Sequence, residues 1–302
     1  MLKRRGFTLI ELLVAVVLLG IVGLTVARVL TSMLRVTQAQ VLLARSQGTA
    51  RTSSLALPSE FREIGYDTIP GVTNESDLIA IAAHRLTFRA ARGMGVSCNV
   101  TFTGGGMSAI WVRKPMWGMN TPAADTDSLL IFVENDRNQG SDDQWVPITY
   151  SSVDKNSTCG ADAAVRYNLS SAPIHKPGGA VINGAEFFVG APVRWFEEME
   201  YGPVVDASGR AYVGARSINQ GQNALSPVFG PLADTLSFSL TYYDVNGSVL
   251  DPTTATKFDV RSIGIDLSGT TSSGISLGGG SSRARGSSPI FTRVALRNVL
   301  RP

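Results

Sequence analysis

The order of apolar and polar residues divides the chain into a continuous apolar segment, an amphipathic segment and a long remainder of short alternating runs. From Phe7 to Ala27 the only ionisable side chain is Glu11. The uncharged run after Glu11 is slightly short of the ~20 residues that span a bilayer, and the apolar residues before it bring the segment to spanning length. This pattern predicts a membrane-spanning helix over residues 7–29.

The next segment repeats apolar and small residues at alternating steps of three and four, which places them on one helical stripe. The stripe consists of Val36, Ala39, Leu43, Gln47, Ala50, Ser54, Leu57, Phe61 and Ile64. We therefore predict one helix over residues 7–64, whose second half packs against a head. Pro58 should bend or break this helix because it lacks a backbone donor, or it begins a new turn at its first position.

Residues 65–302 predict a head rich in antiparallel strands, because short apolar runs alternate there with Gly, Pro, Asn and Asp. The Asn246-Gly247 pair is a strong hairpin signal, and the Gly- and Ser-rich residues 269–289 predict a flexible loop. The predicted fold class is α+β, with a long helix on a large β-rich head. Strands are predicted at Leu86–Arg89, Asn99–Phe102, Ala109–Arg113, Ser128–Glu134, Trp145–Ser151, Ala164–Leu169, Glu186–Val189, Val193–Tyr201, Ala211–Arg216, Thr235–Tyr243, Asp259–Leu267 and Phe291–Val299.

Placing the Glu11 carboxylate inside a membrane costs about a few kcal/mol of insertion free energy. A secretory signal peptide explains the cationic start, but it does not explain the length, the glutamate or the missing small-x-small cleavage site. A plain membrane anchor explains the length and leaves Glu11 unpaired. A buried carboxylate is retained when a cation pairs with it, so the sequence requires a partner for Glu11.

Composition places the charge excess in the first six residues. The chain of 302 residues is 44% hydrophobic, which is enough for a sizeable core, and its formal net charge is +3. Without Lys3, Arg4 and Arg5, the number of Lys plus Arg falls from 27 to 24, which equals the number of Asp plus Glu. The two cysteines, Cys98 and Cys159, are either a disulfide, as export would permit, or two buried thiols.

The sequence offers little for catalysis. The chain has two histidines, and it contains no H-E-x-x-H, no G-x-S-x-G and no phosphate-binding Gly-Lys-Ser/Thr motif. We therefore expect no enzyme activity and no cofactor. The acidic segment ENDRNQGSDDQW is a weak calcium candidate, with oxygen ligands around a glycine but no glutamate at the twelfth position. Its candidate ligands are Asp136, Asn138, Asp142 and Asp143.

The segment MSAIWVRKPMWGMN combines aromatic, Met and cationic residues, a composition typical of protein interfaces. Such a composition also stacks single-stranded DNA in some proteins. Core packing together with a loop is the interpretation that we favour. The candidate interface residues are Trp111, Arg113, Lys114 and Trp117.

The N-terminal sequence KRRGFTLIELLVAVVLLGIV resembles the leader and first helix of type IV prepilins and of type II secretion pseudopilins. This resemblance implies that a prepilin peptidase cuts between Gly6 and Phe7, removing residues 1–6, and that Phe7 is then methylated. It also supplies a partner for Glu11, namely the amine of Phe7 in the same chain or in a neighbouring subunit. Such a pair would set the axial register between helices.

Further resemblance lies in the helix and in parts of the head. The segments ARSQGTARTSSLALPSEFREIGYD, YYDVNGSV, FDVRSIGIDL and PIFTRVALRNVL are similar to PilW-like minor pilins and to J-type pseudopilins. The implied function is that of a minor type IV pilin in a priming or tip complex. The alternatives are a type II secretion pseudopilin, or a pilus-borne receptor for DNA uptake or adhesion.

The implied partners are the peptidase, major and minor pilins, the assembly platform and the inner membrane, with DNA or a surface ligand as further alternatives. The leader cations favour a cytoplasmic N-terminus with the head in the periplasm, and assembly would bring the head to the pilus and the cell surface.

Overall fold

The computed structural model describes residues 8–64, 77–103, 106–118, 128–133, 144–169, 189–271, 274 and 285–296. Within these residues one helix, α1 (Leu9–Phe61), leads into fifteen strands and two short 3-10 helices, Thr235–Ser237 and Lys257–Asp259. The α+β prediction is confirmed. The strands are β1 (Leu78–Ala82), β2 (Arg85–Thr103), β3 (Gly106–Arg113), β4 (Trp117–Gly118), β5 (Ser128–Val133), β6 (Gln144–Ile148), β7 (Tyr150–Cys159), β8 (Asp162–Leu169), β9 (Pro192–Val205), β10 (Ala211–Ser217), β11 (Ser226–Leu232), β12 (Phe238–Tyr243), β13 (Val249–Leu250), β14 (Ser262–Thr270) and β15 (Ser287–Ala295).

Helix α1 is one continuous element of 53 residues. The prediction that Pro58 bends or breaks it is wrong as far as breaking is concerned, because α1 continues to Phe61. Pro58 lies in the last turn, where its missing donor removes one hydrogen bond, and its carbonyl still accepts from the N–H of Arg62 over 3.0 Å. Phe61, which follows it, is fully buried, and that burial holds the turn in place.

The strands form an antiparallel sheet centred on the two long strands β2 and β9. Their pairing runs from Leu86↔Tyr201 to Val96↔Pro192. The first half of β9 also pairs with β5, and its second half pairs with β10. The main path of the sheet is β13-β12-β14-β11-β10-β9-β2-β3-β8-β7. Strands β2 and β9 therefore connect two parts of the head.

Each part has its own hydrophobic core. The helix-side core joins the end of α1 to β10, β12, β14, the N-terminal half of β2 and the C-terminal half of β9. It includes Leu57, Phe61, Ile64, Phe88, Tyr201, Phe238, Tyr242 and Ile265. The outer core contains no residue of α1. It lies among β3, β5, β6, β7, β8, the C-terminal half of β2 and the N-terminal half of β9. It includes Ile110, Val112, Ile131, Val146, Tyr167, Val193 and Trp195. We call the part around this second core the outer lobe.

The second half of α1 is attached to the head in two different ways. Its last turn contributes Leu57 and Phe61 to the helix-side core, and the Phe61 ring makes edge contacts with Phe88 at 5.5 Å and Tyr201 at 5.8 Å. Before this anchor, where α1 meets β11, β14 and β15, its fully buried residues all have small side chains, and Leu42 and Leu43 are half-buried. We call this stretch the small-residue seam; it consists of Ala39, Ser46, Ala50 and Ser53.

The seam corrects part of the predicted stripe. Ser46 and Ser53 are buried, whereas the predicted Gln47 is exposed and Ser54 is half-buried. Val36 is exposed as well. Small residues bring the helix close to the sheet, so that a Cβ at Gly269 would lie 3.4 Å from the Cβ of Ala50.

The strand predictions are partly confirmed. Strands β1, β4 and β11 were not predicted, and the region predicted at Trp145–Ser151 belongs to two strands, β6 and β7. The hairpin at Asn246-Gly247 is confirmed, since β12 and β13 pair across it and Gly247 has φ +82°. The loop predicted at 269–289 is shorter at both ends, because Gly269↔Ser288 is a strand pair. The strand predicted at Glu186–Val189 lies outside the described residues except for Val189, which is in a turn.

Candidate functional site

Thr8 and Glu11 form a capping box at the start of α1. The N–H of Glu11 donates to Thr8 Oγ1 over 3.3 Å, and the N–H of Thr8 donates to Glu11 Oε2 over 3.5 Å. Both contacts satisfy backbone donors that have no partner within the helix. The Glu11 carboxylate is therefore directed towards the N-terminal end of the helix, the end at which the predicted amine partner is attached. Gly6, Phe7 and the leader cations Lys3, Arg4 and Arg5 lie outside the described residues.

Every described residue before Ala39 is exposed. Leu9 is 82% exposed and Leu19 is 74% exposed, which is far from the burial that such side chains have in a soluble protein. At 1.5 Å per residue, the part of α1 from Leu9 to Ala27, which includes Glu11, is about 28 Å long, close to the hydrocarbon thickness of a bilayer. Among the described residues, α1 is the one helix long and apolar enough to cross a membrane. This surface requires lipid or other apolar helices around it.

Three threonine hydroxyl groups in this exposed part, those of Thr25, Thr31 and Thr37, donate to carbonyls within the helix. Thr25 donates to the carbonyl of Val22 over 2.8 Å, and Thr31 donates to the carbonyl of Ala27 over 3.0 Å. A polar group without a hydrogen-bond partner raises the free energy of a helix in hydrocarbon by roughly several kcal/mol. These threonines are thus compatible with an apolar environment.

The last turn of α1 is fastened to the sheet by a buried arginine, Arg92 of β2. Its Nη1 lies 3.0 Å from Glu60 Oε2 of α1, and its Nε lies 2.8 Å from Glu197 Oε2 of β9. Burial alone would lower the pKa of Arg92, but the charges of Glu60 and Glu197 raise it above its usual value. We call these three residues the Arg92 clasp. It fixes the end of the helix at the point where β2 and β9 leave the helix-side core.

Glu200, three residues after Glu197 in β9, is a buried carboxylate. Glu200 is 3% exposed. It pairs with Arg85 at 2.6 Å and with Arg216 at 2.5 Å. The sequence signal for both groups was the unusual density of carboxylates in FEEMEYG, within an otherwise apolar strand. The sequence prediction did not include them, because the cations that pair with them lie far away in the chain.

The cysteines are joined by a disulfide between Cys98 of β2 and Cys159 of β7, with a sequence separation of 61. The bridge lies in the outer lobe, where it packs with Ala109, Trp111 and Ala164. It connects two strands that are not neighbours in the sheet, since β3 and β8 lie between them.

The four candidate interface residues separate into two groups. Trp111 is buried, with its Nε1–H donating to Ser157 Oγ over 2.8 Å and the Arg166 guanidinium 4.8 Å from its ring. Trp111 is thus unavailable to a partner, which corrects its place in the predicted interface. Its burial follows from packing against the disulfide.

Trp117, Arg113 and Lys114 are exposed. Trp117 pairs with Met94 across β4 and β2, and both side chains are exposed. Arg113 contacts Asp162 at 3.3 Å, and Lys114 donates to the carbonyl of Lys155 over 2.6 Å.

The candidate calcium ligands Asp136, Asn138, Asp142 and Asp143 lie outside the described residues. Within the part of the chain that the structure describes, no group of three or more His, Cys, Asp or Glu side chains is arranged to hold a metal ion.

Comparison with known proteins gives one match. Residues 1–27 match the family model described as the prokaryotic N-terminal methylation motif. No match is found among curated proteins or among solved structures. The chain therefore carries a type IV prepilin-like N-terminus, which implies processing by a prepilin peptidase and assembly with other pilin-type subunits. The motif and the exposed apolar helix fit anchoring in the inner membrane together with a pilus.

Proposed function

We propose that the chain is a minor type IV pilin: a structural and assembly subunit that belongs to the priming or tip complex of a pilus and performs no reaction. The observation that carries this proposal is the surface of α1. Its apolar residues before Ala39 are exposed over their whole circumference, while its last turn is locked into the head. A helix of this kind serves first as a membrane anchor and then as packing surface for other helices.

The outer lobe supports a place at the end of a filament. Along a shaft the helices of neighbouring subunits pack closely, with their axes about 8–10 Å apart. Each head must therefore fit between identical heads. A terminal subunit has neighbours on one side only, so an additional lobe with its own core is accommodated there. Together with the resemblance of YYDVNGSV, now seen as the β12–β13 hairpin, this supports the PilW-like assignment.

In this proposal the peptidase cuts after Gly6 while the N-terminus is cytoplasmic and the head is periplasmic. Major and minor pilins and the assembly platform are then the partners of α1. The head subsequently reaches the pilus and the cell surface. Glu11 pairs with the amine that cleavage creates at Phe7, in this chain or in a neighbour.

The test compares Glu11→Gln with Thr8→Ala. Glutamine keeps the capping-box geometry but removes the charge, so we expect normal membrane insertion and reduced incorporation into filaments. Thr8→Ala removes the cap, at a cost of about 1 kcal/mol, and keeps the carboxylate, so incorporation should persist. Both are measured by immunoblotting of membrane and sheared-filament fractions. Full incorporation of Glu11→Gln would refute the pairing.

A type II secretion pseudopilin is the second candidate, supported by the same motif and the same exposed helix. Deletion of the gene distinguishes the two: a minor pilin is required for surface pili, whereas a pseudopilin is required for protein secretion. A receptor for DNA or a surface ligand is supported by the exposed Trp117 beside Arg113 and Lys114. Its test is DNA binding by the full chain in detergent, with Trp117→Ala as the comparison.

A further inference from the structure

Strand β15 has a regular outer edge that pairs with no other described strand. We propose that this edge binds an extended strand of a neighbouring pilin-type subunit, a protein of different sequence, which continues the sheet. The inference rests on the proposed function, because the neighbour is one that α1 brings alongside. Unpaired N–H and C=O groups on a sheet edge are a template for such strand addition.

Two backbone hydrogen bonds establish which groups of β15 point outward. The N–H of Thr271 donates to the carbonyl of Gly286 over 3.0 Å, and the N–H of Leu296 donates to the carbonyl of Arg261 over 3.0 Å. In an antiparallel ladder, hydrogen-bonded pairs alternate with pairs whose backbone groups face away. The register between these two bonds is unbroken. The outward residues are therefore Ser287, Pro289, Phe291, Arg293 and Ala295.

Pro289 agrees with this assignment, because a residue without an N–H is tolerated where no ladder bond is required. Past Pro289, the outward backbone groups of Phe291, Arg293 and Ala295 leave three consecutive positions available for pairing. Phe291 is 55% exposed. The Arg293 guanidinium lies 3.8 Å from the centre of the Tyr243 ring, so it lies over the sheet and does not extend past the edge.

The other described edges are shorter or less regular. Strand β6 has an unbroken register, but it has 5 residues and includes Pro147. Strand β7, at the opposite end of the sheet, has irregular register at two places and carries the exposed charges Asp154 and Lys155. Strand β13 has two residues, and β1 has an irregularity after Leu78. Bulges and charges are the usual protection of an edge against pairing. Among the described edges, β15 has no bulge, and past Pro289 its one charged residue, Arg293, is turned over the sheet, so this part of the edge is open to pairing.

The chemistry of the partner follows from β15 and from its inner neighbour. Residues 285–296 contain two arginines and no acidic residue. On the inner side, β14 places Asp266 opposite Phe291 and apolar residues at the positions between. The Arg293 guanidinium is turned over Tyr243, so the complementary outer strand is selected by apolar contact with the exposed Phe291. The neighbour is a chain of different sequence because, in the proposed priming or tip complex, the subunits beside this one are other pilins.

The position of β15 connects this edge to helix packing. Helix α1 packs against β15, β14 and β11, with β15 outermost. A strand added beyond β15 therefore lies beside the flank of α1, on the side where another helix would approach. Strand addition and helix packing would thus engage the same neighbour.

The experiment introduces a photo-crosslinking amino acid at single positions of the full chain in cells that assemble it. Phe291 tests the edge, Leu19 reports helix packing, and Val249 is an exposed control on the two-residue strand β13. We expect Leu19 and Phe291 to link to pilin-type chains and Val249 to give no such product. Mass spectrometry should map links from Phe291 and Ala295 to partner residues four apart in one extended segment.

The outcomes separate the two proposals. Links from Leu19 without any from Phe291 would overturn the edge proposal and leave the proposed function standing. Silence at both positions would reject the proposed function and the edge with it. Links from Phe291 to another copy of this chain, or to scattered residues, would show that the occupant is not the strand proposed.

Proline substitution tests the backbone itself. Phe291→Pro removes an outward N–H that β14 does not use, so crosslinking from Ala295 should fall by about tenfold, the effect of leaving one strand carbonyl unpaired. Phe291→Ala, the matched control, retains the N–H and should lose much less. Circular dichroism checks that the fold is unchanged, and Arg293→Pro replaces the first variant if it is not. Equal crosslinking in the proline and alanine variants would overturn strand pairing.

Discussion

The Arg92 clasp offers the sharpest test of how the helix is held. Arg92→Met keeps the length of the side chain but leaves two carboxylates without their cation. Arg92 is 8% exposed, and its partners Glu60 and Glu197 are 24% and 13% exposed. Breaking one partner of a buried ion pair costs about 3–5 kcal/mol. Partial exposure of Glu60 lets water compensate for some of this, so we expect a loss of about 3 kcal/mol in the free energy of unfolding.

A loss of that size is a large part of the 5–15 kcal/mol that stabilises a typical protein, roughly a third. For a head of this size, about 2–4 °C per kcal/mol gives a fall in Tm of about 6–12 °C. The measurement is denaturant and thermal unfolding of the full chain in detergent, followed by near-UV circular dichroism. Adding Glu60→Gln and Glu197→Gln to Arg92→Met should restore much of the stability, because no unpaired charge then remains buried.

Arg113→Met is the matched control. Arg113 also contacts one carboxylate, Asp162 at 3.3 Å, but these two side chains are 56% and 53% exposed. Exposed pairs contribute about 0–1 kcal/mol. If Arg92→Met and Arg113→Met lower stability equally, or if the triple variant is no more stable than Arg92→Met, burial of the clasp is not what holds the helix end.

Three further predictions concern the leader, the outer lobe and the strand junction. Gly6→Val should impair cleavage, because the prepilin-like motif implies a cut after Gly6 and a branched side chain would obstruct it there. Intact mass spectrometry of the membrane fraction checks this, and a normal mature N-terminus would contradict it. Replacing Cys98 and Cys159 by serine should cost roughly 4 kcal/mol in the chain-entropy model, measured by denaturant unfolding, and an unchanged midpoint would argue against a stabilising bridge. Gly93→Ala should destabilise the head by about 1–3 kcal/mol, the usual cost of overpacking, because the new Cβ would lie 2.0 Å from the Trp195 ring; a Tm within a degree of the parent would refute this contact.

The long helix could be predicted from the sequence because its apolar and small residues keep one period over many turns. The junction between the lobes could not. Two separate strands were predicted where β2 is a single strand of 19 residues, because Gly93 and Gly95 resemble loop residues. In the structure these glycines admit Trp195 and Val112, whose side chains occupy the places where a Cβ would be.

Proline misled the predictions in a similar way. Pro227 and Pro231 are both part of β11, and proline within an apolar run argues against a strand. The Arg92 clasp could not be predicted either. Its partners Glu60 and Glu197 lie 32 and 105 positions from Arg92 in the chain. Long-range pairing of charges leaves no local periodicity to detect.

The attachment of α1 has a mechanical consequence. The small-residue seam buries little apolar area, and within the described residues the Ser46 hydroxyl in it is buried without a hydrogen-bond partner. The apolar anchor and the Arg92 clasp lie together at the far end, around Phe61. A force that pulls the membrane end of α1 sideways therefore opens the seam first and loads Leu57, Phe61 and Arg92 last. The helix should therefore separate from the head at low force along the seam and resist further separation at its last turn.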